Sequence, residues 1–375
     1  MGSVPQQSRL FEPIKIGSKT LSNRVAMAPL TRYRADDDHV PIVDLVKPYY
    51  TQRASYPGTL LITEATFISP RASGYDNAPG IWSDAQIKAW KEVVAGVHEA
   101  GGVIYLQMWA LGRVAPKANK QREGTGEVEA PSAVQENERS GVPKEMTEED
   151  IQQYIRDYAQ AAKNAVHGAG FDGVEIHGAN GYLVDQFTQS MTNKRTDKWG
   201  GSIENRSRFG LEVAKAVVEA VGSDKTAIRI SPYSPFQGMG MEDPIPQFSH
   251  YITELKKLKL AYLHITEPRI AGNTTVETTN TIDPFVDIWA GTSPILVAGG
   301  YTAETARHEA DVHHKDKDVI VVFGRAFIAN PDIVYRIKNN IAFTPYDRTT
   351  FYTAKKAEGY IDYPFSDDWK KEHKL

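Results

Sequence analysis

The sequence contains no cysteine among its 375 residues. This absence excludes disulfide bonds, thiolate nucleophiles, iron–sulfur clusters and zinc sites with cysteine ligands. The sequence also lacks any apolar run close to the roughly 18 residues of a membrane span. The first residues, MGSVPQQSRLFEPI, contain no apolar signal core. Together these absences predict a cytoplasmic protein without a membrane partner.

Neither sign of charge dominates, since 43 Lys and Arg residues face 47 Asp and Glu residues. The resulting net charge of −4 argues against general binding to nucleic acid. Hydrophobic residues make up 41% of the chain, which is enough for a large core. No internal repeat or low-complexity linker interrupts the sequence. We therefore expect one domain over residues 1–375.

Short runs rich in Val, Ile and Leu alternate with amphipathic stretches along the whole chain. This alternation is typical of parallel strands that are buried on both faces and joined by helices. Eight such runs occur, at residues 24–29, 59–63, 103–107, 173–177, 226–231, 261–266, 294–300 and 319–325. Eight strand-then-helix units predict an α/β fold, the (β/α)₈ TIM barrel. No GxGxxG motif follows a strand and opens a helix, which argues against a Rossmann fold.

Helix starts are marked by capping signals. Ser83 with Gln86 three residues later predicts a capping box before an amphipathic run. Thr147 opens a second helical pattern, and a third runs through IENRSRFGLEVAKAVVEAVG up to a terminal glycine.

Two connections are too long for simple turns. They span residues 110–146 after the third strand and residues 267–284 after the sixth. Both leave the carboxyl end of a strand, which is the face where barrel enzymes place their active sites. Long connections in a compact domain are usually lids or binding loops, so we expect both to cap this face and contact substrate.

Hydrogen-bonding and small residues concentrate at the predicted strand ends. They are Thr31, Ala65, Gln107, His177, Asn180, Arg229, Gly299, Gly300, Gly324 and Arg325. Glycines after strands seven and eight match the recurring phosphate site of barrels, and a nearby arginine adds a charge-assisted contact. Each residue also has a plain structural reading, because strand-end arginines form ion pairs and paired glycines form turns. Their convergence on one rim favours a planar, phosphorylated ligand.

The stretch VEIHGANGYLVDQF places three hydrogen-bonding side chains where the fourth strand ends. Taken alone, His177 is interpreted as a structural histidine, Asn180 as a turn-forming residue and Tyr182 as a residue that packs against its neighbours. Together, His177 and Asn180 can donate to one substrate oxygen and stabilise the charge that develops on it. A phenol such as Tyr182 can protonate the neighbouring carbon. The combination suits conjugate reduction.

Two further polar clusters carry no predicted chemistry. The DDDH segment at residues 36–39 reads as a solvated loop, because an oxygen-rich cation site needs six or more ligands. His313 and His314 read as surface residues at a helix end, since adjacent histidines rarely face one ligand. The sequence therefore predicts no metal site.

Several motifs resemble the Old Yellow Enzyme family of FMN-dependent ene-reductases. They include LSNRVAMAPLTRYRA, ITEATFISPRASGY, LQMWALGR, HGANGYLVDQFTQSMTNKRTDKWGGSIENRSRF, FGRAFIANPD and FYTAKKAEGYIDYP. They occur in the family's order from about residue 10 to residue 365, and in sequence they are most similar to filamentous-fungal members.

The resemblance implies bound FMN, with NADPH or NADH as reductant and an activated alkene as substrate. It places Pro29, Leu30 and Thr31 beside the flavin, Ala65 and Gln107 on the ring, and Arg229 at the ring's N1/C2 edge. It assigns binding of the FMN phosphate to Gly299, Gly300, Gly324 and Arg325. His177 and Asn180 would bind the substrate's oxygen, Tyr182 would donate a proton, and Trp109 and Tyr352 would line the substrate cavity. The resemblance is compatible with a monomer or a homodimer.

Two departures from the family pattern concern the substrate. Arg113 stands where yeast-type members have tryptophan, which predicts a changed charge at the cavity edge. The segment 267–284 matches no familiar version of the family's substrate loop. A flavin-dependent isomerase or oxidase of secondary metabolism, built on the same scaffold, is therefore the alternative function.

Overall fold

Eight parallel strands form a closed barrel in the computed structural model, which describes residues 8–272 and 274–374. In chain order they are β1 Val25–Met27, β2 Leu60–Ile62, β3 Val103–Trp109, β4 Gly173–Gly178, β5 Thr226–Ile230, β6 Tyr262–Thr266, β7 Ile295–Ala298 and β8 Val319–Phe323. Each strand pairs with its sequence neighbours, and β8 pairs with β1 to close the ring. The predicted α/β barrel is confirmed, and the strand positions agree to within a few residues.

Alternate side chains on each strand serve two separate cores. In β2, Leu60 and Ile62 join the cluster inside the barrel, whereas Leu61 packs in the cluster between strands and helices. Successive side chains of a strand point to opposite faces, so an uninterrupted apolar run fills both layers. An antiparallel hairpin of Ile14–Ile16 and Lys19–Leu21 joins the inner cluster and closes the amino-terminal end of the barrel.

The helices surround the barrel. The main ones are α1 Val43–Arg53, α2 Asp84–Glu99, α3 Glu148–Lys163, α4 Ile203–Val221, α5 Ile245–Lys256, α6 Asp283–Trp289, α7 Ala303–His308, α8 Arg325–Ala329 and α9 Ile333–Asn339. Two short helices, Leu183–Thr188 after β4 and Asp367–His373 near the carboxyl terminus, are added to these. The predicted capping box of Ser83 and Gln86 is present at α2, and Thr147 forms another with Asp150 at α3. No helix in the described ranges has an apolar stretch long enough to cross a bilayer.

The two long connections contain secondary structure of their own. Residues 110–146 contain the 3₁₀ turn Gly112–Val114, the helix Lys117–Glu123 and a pairing of Glu129–Ala130 with Lys144–Glu145. Residues 267–284 contain a hairpin of Ile270–Ala271 and Thr274–Thr275. Local hydrogen bonds therefore shape both segments over the carboxyl-terminal face of the barrel.

Two buried arginines attach the carboxyl-terminal segment to this face. Arg32 Nε donates to the carbonyl of Phe351 (2.9 Å), and its Nη2 donates to Gly359 (2.7 Å). Arg34 donates to the carbonyls of Lys356 (2.9 Å) and Glu358 (3.1 Å). This arginine clamp fixes residues 351–359 against the barrel rim.

Candidate active site

A cavity of about 600 Å³ opens at the carboxyl-terminal ends of the strands. Every residue selected from the sequence as a site residue lines it: Pro29, Leu30, Thr31, Ala65, Gln107, Trp109, His177, Asn180, Tyr182, Arg229, Gly299, Gly300, Gly324, Arg325 and Tyr352. These residues come from seven of the eight strands or the loops that directly follow them, and from the clamped carboxyl-terminal segment. The strand ends therefore build one site, because parallel strands deliver their carboxyl ends to the same rim.

A buried carboxylate at the base of the cavity organises its polar floor. Glu175 accepts hydrogen bonds from Gln107 Nε2 (2.7 Å) and Tyr262 Oη (3.0 Å), and its Oε2 lies 2.9 Å from His264 Nδ1. Burial raises the pKa of Glu175, but His264, Arg229 and Gln107 more than offset this and hold the pKa below its usual value. The ionised Glu175 is thus a counter-charge for the buried guanidinium of Arg229.

Several polar atoms that line the cavity lack a hydrogen-bond partner among the described residues. They are Arg229 Nε, Thr266 Oγ1 and Trp109 Nε1, all shielded from solvent. Buried polar atoms are nearly always paired, so orphaned ones facing a cavity indicate a bound ligand. A flavin ring fits this donor set, because its edge carries carbonyl oxygens and ring nitrogens.

The far end of the cavity suits a phosphate group. Gly300 has a φ of +67°, and a Cβ atom there would lie 3.7 Å from Arg325 Nη2, in the space that an anion beside Arg325 would use. Gly299 is small for another reason, since a Cβ atom there would come within 2.3 Å of the Glu267 side chain. These residues fit FMN, with Gly300, Gly324 and Arg325 near its phosphate.

His177 is a neutral hydrogen-bond donor. Burial lowers its pKa well below 6.5, and the nearby charges of Arg229 and His264 lower it further. The backbone N–H of Ala179 donates to His177 Nδ1 at 3.4 Å, so the ring proton lies on Nε2. His177 can therefore donate one hydrogen bond at neutral pH without changing its charge.

The turn after β4 fixes Asn180 through its backbone. Asn180 adopts the left-handed conformation (φ +57°), its N–H donates to Ser231 Oγ (2.7 Å), and its carbonyl accepts from Gln237 Nε2 (2.8 Å). Asparagine tolerates this conformation better than most residues. Because these bonds use the backbone, the side-chain amide is left to the cavity that it lines.

Tyr182 stands beside His177 and remains protonated. Its ring lies edge-on to Trp109 (centroids 4.9 Å apart, 89°) and to His177 (4.8 Å, 71°). Burial raises the pKa of Tyr182 well above 10, with further increases from Tyr75 and Tyr33, while a hydrogen bond with Gln237 lowers it. The phenol therefore carries a proton throughout the neutral range.

A buried carboxyl group supports this turn and makes its stability depend on pH. Asp185 Oδ2 accepts from the N–H of Gly181 (2.9 Å), and burial raises the pKa of Asp185 to about 7. A raised folded-state pKa favours the protonated form, so its contribution to stability falls as pH rises from about 4 to 7. In Asp185→Asn this fall should be absent. The slope of the free energy of unfolding against pH should therefore differ from that of wild type by on the order of 1.4 kcal/mol per pH unit over that interval.

Chemical denaturation of both proteins between pH 4 and 8 would measure the difference. Asp197→Asn is the matched control, because hydrogen bonds from Arg195 hold the pKa of Asp197 below its usual value. Asp197 titrates at or below about pH 4 in both the folded and the unfolded state, so the stability of that variant should differ from wild type by a nearly constant amount over this range. An unchanged slope in Asp185→Asn would contradict the role of burial at this position.

Some cavity residues were not found from the sequence. Tyr33, Tyr75, Arg139 and Phe236 all line the cavity, and burial raises the pKa of Tyr75 to about 12. They lie in loops, where no periodic pattern marks which side chains point inward. Glu175 could have been found, since a charged residue inside the apolar run GVEIH signals a buried network.

Arg113 does not change the charge of the cavity edge, contrary to expectation. Its side chain is buried and donates to the carbonyl of Gln237 at 2.6 Å, with longer contacts of 3.5 Å to Val134 and Gln135. The guanidinium thus joins the segment after β3 to the segment after β5. The DDDH segment also differs in part, because Asp37 and Asp38 are exposed as expected but His39 is buried.

Comparisons with known proteins agree with this geometry. The model of the NADH:flavin oxidoreductase / NADH oxidase family matches residues 9–343. A chanoclavine-I aldehyde reductase of Penicillium roqueforti is 55% identical over 364 residues, covering 97% of this chain and 98% of that protein. A protein of Claviceps purpurea described as a probable inactive dehydrogenase is 49% identical over 368 residues, covering 96% of each chain.

A solved structure shows the same fold. The Old Yellow Enzyme from Pichia sp. AKU4542 superposes with a TM-score of 0.88 at 40% identity, covering 96% of this chain and 94% of that one. The barrel, the lined cavity and the sequence similarity lead to one assignment. This chain belongs to the NADH:flavin oxidoreductase / NADH oxidase family, the family of Old Yellow Enzyme.

Proposed function

We propose that the protein is an FMN-dependent ene-reductase that uses NADPH or NADH to reduce the carbon–carbon double bond of α,β-unsaturated carbonyl or nitro compounds. The observation that carries the proposal is the grouping of His177, Asn180 and Tyr182 on one wall of the cavity that also contains the orphaned Arg229 donor. Bound FMN would supply the hydride transfer, first accepting hydride from the nicotinamide and then delivering it to the substrate's β-carbon.

Pro29, Leu30, Thr31, Ala65 and Gln107 would hold the flavin ring. The hydrogen bond from Gln107 Nε2 to Glu175 orients its amide so that the carbonyl oxygen is the group left for a ligand. Arg229, with Glu175 as counter-charge, would stabilise negative charge at the ring edge.

His177 and Asn180 would bind the substrate's activating oxygen. Both can donate a hydrogen bond without ionising, so they polarise the carbonyl and stabilise the negative charge that grows on its oxygen during hydride addition. Because the turn is held by Ser231, Gln237 and Asp185, these donors are positioned before substrate arrives.

Tyr182 would donate the proton to the α-carbon. Its high pKa keeps it protonated, and its place beside His177 puts the phenol next to the oxygen-binding pair. The reduction would then be completed inside the cavity rather than by solvent. Trp109 and Tyr352 would set the shape of the space around the alkene.

The two half-reactions, reduction of the flavin and its reoxidation by substrate, each test the proposal. Purified protein is expected to be yellow, to bleach anaerobically on addition of NADPH or NADH, and to recover its colour when cyclohexenone is added. Protein that contains no flavin and binds none would disprove the assignment.

One relative is described as an aldehyde reductase, so a second test must decide whether the carbon–carbon double bond or the aldehyde group is reduced. With an enal such as cinnamaldehyde, we expect the saturated aldehyde and not the allylic alcohol. Net isomerisation of an enal with only catalytic NADPH would favour the alternative, a flavin-dependent isomerase.

A further inference from the structure

A second cluster of ligating side chains lies outside the cavity, where α6 begins. His313 Nε2 is 3.2 Å and His314 Nε2 is 3.4 Å from the same atom, Asp283 Oδ1. On the opposite side, Glu309 Oε2 is 3.2 Å from His313 Nδ1 and Oε1 is 2.5 Å from His314 Nδ1. His313 is exposed at a helix end as expected, but the expectation is wrong for His314, which is buried, and the two rings stack 4.1 Å apart between two shared carboxylates.

The backbone explains why adjacent histidines face the same way. On a regular α-helix, neighbouring side chains diverge by about 100°. Here α7 widens into a π-helical segment, Glu309–His313, and His314 leaves helical geometry altogether (φ −111°, ψ 38°). His314 is also only 6% exposed, so its ring is held in place by its surroundings.

Glu309 determines which ring nitrogens carry protons. A carboxylate only accepts hydrogen bonds, so each Nδ1 that it contacts is the protonated nitrogen and donates to it. With each Nδ1 directed at Glu309, it is the Nε2 atoms of both rings that face Asp283. Two ring nitrogens and one carboxylate oxygen therefore face one small space, which is a donor set that divalent metals accept.

The two nitrogen–oxygen distances fit a metal ion, and the three ligand atoms all lie within 4.8 Å of one another. Zinc binds histidine nitrogen and carboxylate oxygen at about 2.0–2.2 Å, so ligand atoms on a tetrahedral site lie about 3.3–3.5 Å apart. Asp283 Oδ1 is shielded from solvent and has no aligned hydrogen-bond donor among the described residues, despite its closeness to both Nε2 atoms. Poor alignment is expected if the metal, and not the oxygen, lies along each nitrogen lone pair.

We propose that Asp283, His313 and His314 bind one zinc ion or a similar first-row divalent metal, with Glu309 orienting both histidines. The mixed nitrogen and oxygen ligands favour this class over Mg²⁺ and Ca²⁺, which prefer oxygen alone. Asp283 and His313 are 40% and 42% exposed, so solvent can reach the ion and complete its coordination. The ion would fasten the end of the 267–284 segment to the segment before β8, independently of the flavin reaction.

Isothermal titration of the chelator-treated flavoprotein with zinc sulfate tests this site. We expect binding of one equivalent, weakened at least about 100-fold in Asp283→Ala and in His313→Ala. Glu309→Gln should weaken it by about 10- to 100-fold, as expected for a residue that orients a ligand. His98→Ala is the matched control, because His98 is 40% exposed and lies 2.9 Å from a carboxylate of Asp172, yet belongs to no such cluster. Its zinc affinity should equal that of wild type.

Thermal unfolding provides a second readout. Zinc should raise the melting temperature of wild type and of His98→Ala, but not that of His313→Ala, because only the folded site binds the ion. Absence of zinc binding by wild type, equal binding by Asp283→Ala, or magnesium binding as strong as zinc binding would each overturn the proposal.

Discussion

Tyr182→Phe is expected to slow alkene reduction by about 10²- to 10⁴-fold, the usual contribution of one positioned general acid. The substitution removes only the hydroxyl group and keeps the ring that packs against Trp109 and His177. Flavin content and the rate of flavin reduction by NADPH should therefore stay close to wild type. Stopped-flow measurement of the two half-reactions separates these effects.

Tyr75→Phe is the comparison variant for this experiment. Tyr75 is another phenol that lines the same cavity, and its ring is tilted against that of Trp109 (centroids 5.5 Å apart). Its loss should slow alkene reduction far less than the loss of the Tyr182 hydroxyl. Equal slowing of both half-reactions in Tyr182→Phe, or a larger effect in Tyr75→Phe, would show that Tyr182 is not the proton donor.

The double variant His177→Leu/Asn180→Gly should bind phenols about 10²- to 10⁴-fold more weakly. Each hydrogen bond to a charged oxygen contributes about 1.5–3 kcal/mol, and about 1.4 kcal/mol corresponds to a tenfold change in affinity. Glycine is chosen at position 180 because the backbone there has a positive φ of +57°. The measurement is the charge-transfer absorbance expected of a phenolate that binds over oxidised flavin, which the double variant should lose.

Asn119→Leu is the matched control for the oxygen-binding pair. Asn119 lines the same cavity, but its amide donates to the carbonyl of Gly74 at 2.9 Å. Phenol affinity in this variant should stay within a few-fold of wild type. If the double variant keeps wild-type phenol affinity, the oxygen-binding site lies elsewhere in the cavity.

The barrel and its rim were predictable because the physics that forms them is local. Strands buried on both faces must be apolar throughout, so runs such as VIYLQ and VIVVFGR can be recognised as strands from the sequence. Once eight parallel strands are placed, their ends must meet at one edge, and that is why Thr31, His177 and Arg325 come together.

The walls of the cavity and the histidine pair were not predictable in this way. Arg139 and Phe236 lie in loops whose course depends on long-range packing, so their direction cannot be read from neighbouring residues. Arg113 has a side chain long enough to reach a backbone carbonyl in another loop, and sequence position alone does not decide where it points. His313 and His314 converge only because α7 ends in a π-helical turn, which leaves no pattern in the sequence.

The arginine clamp on residues 351–359 has an evolutionary consequence. Arg32 and Arg34 hold this segment through backbone carbonyls, which every amino acid possesses. These four hydrogen bonds therefore do not depend on the side chain at position 352, and an exchange of Tyr352 would leave them in place. Descendants of this chain could acquire new substrate preferences at this wall by single substitutions while the cofactor-binding rim remains intact.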